Sequence, residues 1–200
     1  MKTFRHFSIL LGLIMAFLFT NVSYAQDQPK VKGYEKTIEL NGGIGMDKFS
    51  KYSLGITMLN GYRFNHYFFV GAGVGYEYFY AKYYTTNIGH HYESFDGKHL
   101  LKLSARVKAN LTKGKVSPFF AFDIGGAIDV GKNPYRTAKG LFIEPAFGID
   151  FKLNDQKTAI FLMVGYHGQN SQYTRFSSNG NESLEKAMAG LIDIRLGIKF

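Results

Sequence analysis

The sequence predicts an all-β fold, a transmembrane antiparallel β-barrel of about eight strands in an up-and-down meander. Three observations predict it. Apolar and polar residues alternate through segments of about ten or more residues that are separated by turn residues. Beyond Ala25 no stretch of about 18 residues is both apolar and uncharged, so no membrane-spanning helix is available. Aromatic residues on the outward parity collect at the two ends of the segments, as they do where a surface crosses two membrane interfaces.

The chain opens with Lys2 and Arg5, an apolar run from Phe7 to Phe19, and a polar stretch that closes Ser23-Tyr24-Ala25. A positive start, a short apolar middle and a small-residue exit make a secretory signal peptide, with cleavage expected after Ala25. The run is about 13 residues, short of the roughly 20 that span a bilayer as a helix. The predicted organisation is a leader over 1–25, a polar periplasmic lead-in over 26–33 (QDQPKVKG), and the barrel over 34–200. The absence of Cys excludes lipid attachment at the cleavage site, disulfides and thiolate metal sites. Of the 24 Lys and Arg, two lie in the leader, which leaves 22 against 15 Asp and Glu, a net charge of +7. In an exported chain that excess points to the anionic phosphates of surface lipids and away from nucleic acid.

The last segment shows the alternation most clearly. Met188, Ile192, Ile194, Leu196, Ile198 and Phe200 share one parity, while Asp193, Arg195, Gly197 and Lys199 take the other. Leu101, Leu103, Ala105, Val107, Ala109 and Leu111 stand likewise against Lys102, Ser104, Arg106, Lys108 and Asn110. Strands are expected near 35–48, 52–64, 67–81, 98–111, 118–130, 140–153, 157–169 and 187–200. Their connections alternate in length. Asn65-His66, Thr112 to Ser117 and Asn154-Asp155-Gln156 are short and built of turn formers. The stretches near 82–97, 131–139 and 170–186 are long and polar, and are expected as outer loops; the connection around Lys48 to Lys51 is the short exception. Short turns on the periplasmic side and long loops outside are the asymmetry of such barrels. Phe64, Phe68, Phe120, Phe151 and Phe200 fall near the periplasmic ends, and Tyr52, Tyr78, Tyr80 and Tyr166 near the outer ends.

A leader, alternating Gly-rich and Tyr-rich strands, long outer loops and the closing run Leu196-Gly197-Ile198-Lys199-Phe200 together resemble the small bacterial outer-membrane β-barrel families. The likeness is greatest to the porin-T-like outer-membrane barrel domain proteins. The resemblance implies residence in the outer membrane of a Gram-negative cell among its lipids and lipopolysaccharide, and delivery there by the barrel-assembly machinery. In those families the terminal aromatic is part of the signal that the machinery reads, a role the resemblance assigns to Phe200.

The inward parity gathers charge: Glu39, Asn41, Asp47, Arg63, Glu77, Lys102, Arg106, Lys108, Asp123, Asp129, Glu144, Asp150, Lys152, Asp193, Arg195 and Lys199. Acids and bases alternate among neighbouring strands. They are expected to form an interior network, chiefly of Arg63, Glu77, Arg106, Asp123, Glu144, Asp150, Asp193 and Arg195, that plugs the lumen. The other reading is a small charged pore. A barrel of about eight strands is only just wide enough for its own side chains, which favours the plug.

Other candidates carry less. Gly71, Gly73 and Gly75 are not a phosphate loop, because the strand continues through Tyr76 to Tyr80 where such a loop must open a helix; they are expected to make room for Arg and Lys of adjacent strands. His90, His91, Glu93, Asp96 and His99 carry metal-capable groups, but neighbouring residues on an extended chain point opposite ways, and no cofactor or metal is expected. The run Tyr166-His167-Gly168-Gln169-Asn170, followed by Glu182, is similar to the His-x-Ser-Asn motif of the lipid A deacylase barrels. That resemblance makes His167 the candidate catalytic residue; the nucleophile position holds Gln169, which cannot form an acyl-enzyme. The expected function is non-enzymatic, in envelope structure or in surface interaction with an extracellular or envelope protein. The interaction would run through loops that carry Tyr83, Tyr84, Tyr92, Tyr135 and Tyr173, since tyrosine offers large contact area at low entropic cost.

Overall fold

The computed structural model describes residues 32–46, 50–87, 90–131, 136–137, 140–153, 158–176 and 182–200. The leader, most of the lead-in, Asp47 and the turn residues 154–157 lie outside the described residues. The described residues form eight long antiparallel strands: β1 (Gly33–Gly45), β2 (Ser50–Arg63), β3 (Phe68–Asn87), β4 (His90–Asn110), β5 (Val116–Asp129), β6 (Gly140–Lys152), β7 (Ala159–Phe176) and β8 (Glu182–Lys199). Each strand pairs with the next in sequence, and β8 returns to pair with β1 from Thr37↔Lys199 to Gly45↔Leu191. The sheet is therefore a closed meander, as the sequence predicts. A two-residue strand, Arg136–Thr137, pairs with Tyr173 and Gln172 of β7.

The period of two decides which face each residue takes. On β8 the outward Ile192, Ile194, Leu196, Ile198 and Phe200 are exposed, and the inward Asp193, Arg195 and Lys199 are buried. The exposed side chains of the wall are overwhelmingly apolar and the buried interior holds most of the charge, the inverse of a water-soluble sandwich. The seam closes on the last residue. Phe200 donates its N–H to the Lys36 carbonyl and accepts the Lys36 N–H, both at 2.9 Å, while its ring stays 49% exposed on the outer surface.

The short turns are locked by their own chemistry. Asn65 Oδ1 accepts the N–H groups of Tyr67 and Phe68, each at 2.8 Å, in a side-chain-closed turn that Asn favours. In the β4–β5 turn the Ser117 hydroxyl donates to the Thr112 carbonyl at 2.7 Å and the Leu111 N–H to the Pro118 carbonyl at 2.8 Å. Leu153 donates to the Thr158 carbonyl at 2.9 Å across the β6–β7 turn.

Two of the expected outer loops are instead strand. β3 and β4 stay paired from Lys82↔Phe95 to Asn87↔His90, and β7 and β8 from Ser171↔Ala187 to Phe176↔Glu182. Tyr83, Tyr84, Thr85, Thr86 and Tyr92 favour a pleated backbone whether or not polarity alternates. His90, His91, Glu93 and Asp96 lie on this hairpin, with His91 opposite Thr86 and His90 opposite Asn87.

The interior glycines also differ from expectation. The space beside Gly71, Gly73 and Gly75 is taken by Phe69, Leu59, Ser104 and Thr57, not by long basic side chains. Elsewhere the rings of Phe119, Phe142 and Phe161 lie against Gly148, Gly125 and Gly197, so close that a Cβ at each glycine would sit 2.2–2.6 Å from ring carbons. Gly148→Val should push the Phe119 ring off its seat and lower the stability of the folded barrel by about 1–3 kcal/mol in urea titrations. An unchanged midpoint would contradict this packing. Each of the eight long strands is paired on both sides, so unheated protein should migrate ahead of boiled protein in detergent gels. Identical mobility of the two samples would argue against a closed barrel.

Candidate functional site

The densest chemistry lies inside the barrel at mid-height. Arg106 on β4 grips Asp123 on β5 with two parallel bonds, Nε to Oδ1 at 2.5 Å and Nη2 to Oδ2 at 2.6 Å, and its other edge reaches Glu39 on β1, with Nη2 2.9 Å from Oε2. Arg195 on β8 donates to Asp123 Oδ2 at 2.7 Å, to Glu144 Oε2 on β6 at 2.5 Å, and to Asp193. Lys102 on β4 joins Glu77 of β3 at 2.8 Å to Glu144 Oε1 at 2.5 Å. The planar guanidinium suits this use, because its five donors match carboxylates on several strands at once. These residues come from β1, β3, β4, β5, β6 and β8.

A second network fills the short-turn end. Asp150 accepts from Lys108 at 2.8 Å, Lys199 at 2.9 Å and Asn110 at 2.8 Å, and Asn110 in turn accepts from Arg63 at 3.1 Å. Arg63 holds Glu35 in a two-point pair at 2.6 and 3.1 Å. Nearer the long hairpins Lys98 and Asp129 approach to 3.9 Å.

Two apolar clusters lie among these networks, and the inward charge pattern gave no sign of them. Phe119 and Ala121 of β5 pack with Phe161 and Met163 of β7, and Phe79, Leu100, Ala127, Phe142, Ala189 and Leu191 form the other cluster. Phenyl faces also receive ammonium groups: Lys108 Nζ lies 3.7 Å from the Phe119 centroid and Lys102 Nζ 4.4 Å from that of Phe142. Inward aromatics of this kind could have been found by giving Phe79, Phe119, Phe142 and Phe161 the same parity count as the charges.

His167 on β7 points into the interior and is 2% exposed. Its Nδ1 contacts Glu144 Oε1 and lies 3.4 Å from Lys102 Nζ, and its ring stacks on Phe142 with centroids 6.0 Å apart and planes 10° from parallel. Among the described residues its contacts therefore include an acid and no hydroxyl. Glu182 is not that acid: it pairs with Phe176, whereas His167 pairs with Leu191, and nine residues of strand separate the two levels by about 30 Å. Gln169, also buried, donates Nε2 to the Asn170 carbonyl at 2.9 Å. The β6–β7 ladder is interrupted beside this cluster. Ile143↔Gly168 is followed by Ala146↔Gly165, so Glu144 and Pro145 fall in a gap that Pro145, lacking an N–H, cannot bridge.

With this geometry in hand, the chain can be compared with known proteins. No protein-family model and no curated protein matches the sequence. Among solved structures, the outer membrane protein OprG from Pseudomonas aeruginosa is similar over 87% of this chain and 99% of its own, at 11% identity and a TM-score of 0.59. The outer membrane protein AlkL, in lipid bilayers, is similar over 90% of this chain and 94% of its own, at 11% identity and a TM-score of 0.53. The likeness is one of fold: the chain has the closed eight-stranded architecture of small outer-membrane barrels.

Replacing Arg195 or Arg106 by Ala should strand carboxylates in the sealed interior and cost about 3–5 kcal/mol of stability. Lys113→Ala in an exposed turn should change it by less than about 0.5 kcal/mol. Urea unfolding in lipid vesicles measures both, and equal small effects would contradict a buried network.

Proposed function

We propose that this protein is an integral outer-membrane barrel that acts without catalysis. In this reading it is exported with its leader removed after Ala25, assembled through recognition of Phe200, and presents its long hairpins at the cell surface to an envelope or extracellular partner. One observation carries the reading. The Arg106–Asp123–Arg195–Glu144 network bridges β4, β5, β6 and β8 across the lumen beside two apolar clusters, which supports a plugged interior. A transport role would need a continuous polar channel, and hydrolysis would need a nucleophile beside His167; among the described residues its contacts are Glu144, Lys102, Phe79 and Phe142. The likeness to OprG and AlkL supports the membrane address.

The β3–β4 and β7–β8 hairpins support a role at the surface. Their strands stay paired to Asn87↔His90 and Phe176↔Glu182, and a paired strand holds a contact surface with less entropic cost than a free loop. Reconstituted in planar bilayers, the protein should show no steady conductance, and incubation with lipid A should release no fatty acid. A stable open channel would replace this reading with a pore. Fatty-acid release abolished by His167→Ala would replace it with a lipid-modifying enzyme.

A further inference from the structure

A groove of about 480 Å³ interrupts the lipid-facing wall across β4, β5, β6 and β7. Ala109, Phe120, Phe122, Pro145, Phe147 and Val164 line it, and its lining is apolar throughout. The Phe120 and Phe147 rings meet edge-on, 5.1 Å apart and 60° from parallel, and stand out from the wall beside the smaller Ala109 and Pro145. Large side chains set against small ones make a depression where an even belt of Leu and Ile would leave a smooth face. The groove lies toward the short turns, since Ala109 is the second-last residue of β4 and pairs with Phe120.

The turn that joins β4 to β5, beneath the groove, carries Lys113 and Lys115, and both are exposed. From Phe120 to Val116, where the turn ends, is four residues, or about 13 Å of strand. Lys152 adds a third ammonium group by donating Nζ to the Lys113 carbonyl at 3.0 Å. Lys113 Nζ lies 5.5 Å from the centroid of Tyr67, in the neighbouring β2–β3 turn. His66 in that turn is held below its ordinary pKa, first by desolvation and then by the charges of Lys113, Lys152 and Arg63. Cations therefore dominate this rim, at the depth where acyl chains give way to headgroups.

We propose that the groove and the basic turn beneath it form a binding site for an anionic phospholipid of the periplasmic leaflet. One acyl chain lies in the groove against Phe120 and Phe147, and the headgroup phosphate meets the ammonium groups of Lys113 and Lys115. A zwitterionic lipid would fill the groove but gain less from the turn. A second copy of this chain fits worse: two barrels related by an axis normal to the membrane would set each basic turn against its equal, and like charges repel. The inference rests on the outer-membrane placement proposed above, with the short turns on the periplasmic side.

The test uses the full barrel refolded in detergent micelles and titrated with phosphatidylglycerol or with phosphatidylcholine of the same acyl chains, bound lipid being counted by native mass spectrometry. Phosphatidylglycerol should bind about tenfold more tightly, as two lysines near an anionic group allow. Replacing Lys113 and Lys115 together by Ala should abolish that preference and leave phosphatidylcholine binding unchanged. Ala109→Phe, which fills the groove, should weaken both lipids about fivefold. Ala105→Phe, on the same face of β4 but outside the groove, should change neither. Heat-dependent gel mobility establishes that each variant is folded; a folded barrel without the preference fails this inference alone, whereas a chain that never shows the mobility shift fails the outer-membrane reading. Equal affinity for the two lipids, or unchanged binding in either the folded double variant or folded Ala109→Phe, would overturn the proposal. So would a dimer that Ala109→Phe dissolves while lipid binding persists, which would give the groove to a second copy.

Discussion

A backbone N–H or C=O left unpaired in hydrocarbon costs several kcal/mol, and the rest of this structure follows from that penalty. A sheet in a bilayer cannot have an edge, so β8 must return to β1 and the last residue must complete the seam, as Phe200 does with Lys36. A closed meander in which both ends of the chain lie on the same side needs an even number of strands. Closure also fixes two environments, lipid outside and lumen inside, and the pleat then sorts every residue between them.

The lumen of so small a barrel is filled by its own side chains, and this chain fills it with charged networks and apolar clusters. The ion pairs are not a source of stability relative to a well-packed apolar core, since desolvation offsets much of their attraction. Their effect is on register. Arg195 must meet Asp123 and Glu144 from across the barrel, and a one-residue slip of β8 would turn its guanidinium into lipid. The apolar clusters of Phe119, Phe161 and Met163, and of Phe79, Phe142 and Leu191, pack among the pairs, and apolar neighbours of this kind lower the local dielectric and strengthen each pair.

Much of the architecture was legible in the sequence because a period of two survives any register. The alternation in β4 and β8 marks inner and outer faces without knowledge of the neighbouring strands, and Asn65, the Thr112–Pro118 turn and Asn154 mark the short connections by backbone preference. Where polarity ceased to alternate, reading by pattern failed: residues 82–87 and 90–97 pair as strand because tyrosine and threonine favour the pleat on both faces. Partnerships across the lumen were not legible at all. Glu144 becomes the neighbour of His167 through strand stagger and the break at Pro145, whereas Glu182, nearer in sequence, is carried away along β8. The groove beside Ala109, Phe120 and Phe147 likewise exists only once β4, β5 and β6 are in register.

The central claim we propose is that the lumen is plugged by its charged networks and the apolar clusters packed among them. Because the chain has no cysteine, single thiols can be placed at Ala121 and Ala127, one in each inner apolar cluster, and at Leu196 on the lipid face. Thiol labelling of the folded protein in vesicles tests the claim most directly. A membrane-soluble reagent should modify Leu196→Cys, and a small water-soluble reagent should leave Ala121→Cys and Ala127→Cys unmodified until the barrel is denatured. Rapid water-soluble labelling of both inner positions in the folded state would mean that water runs through the interior, and would contradict a sealed barrel.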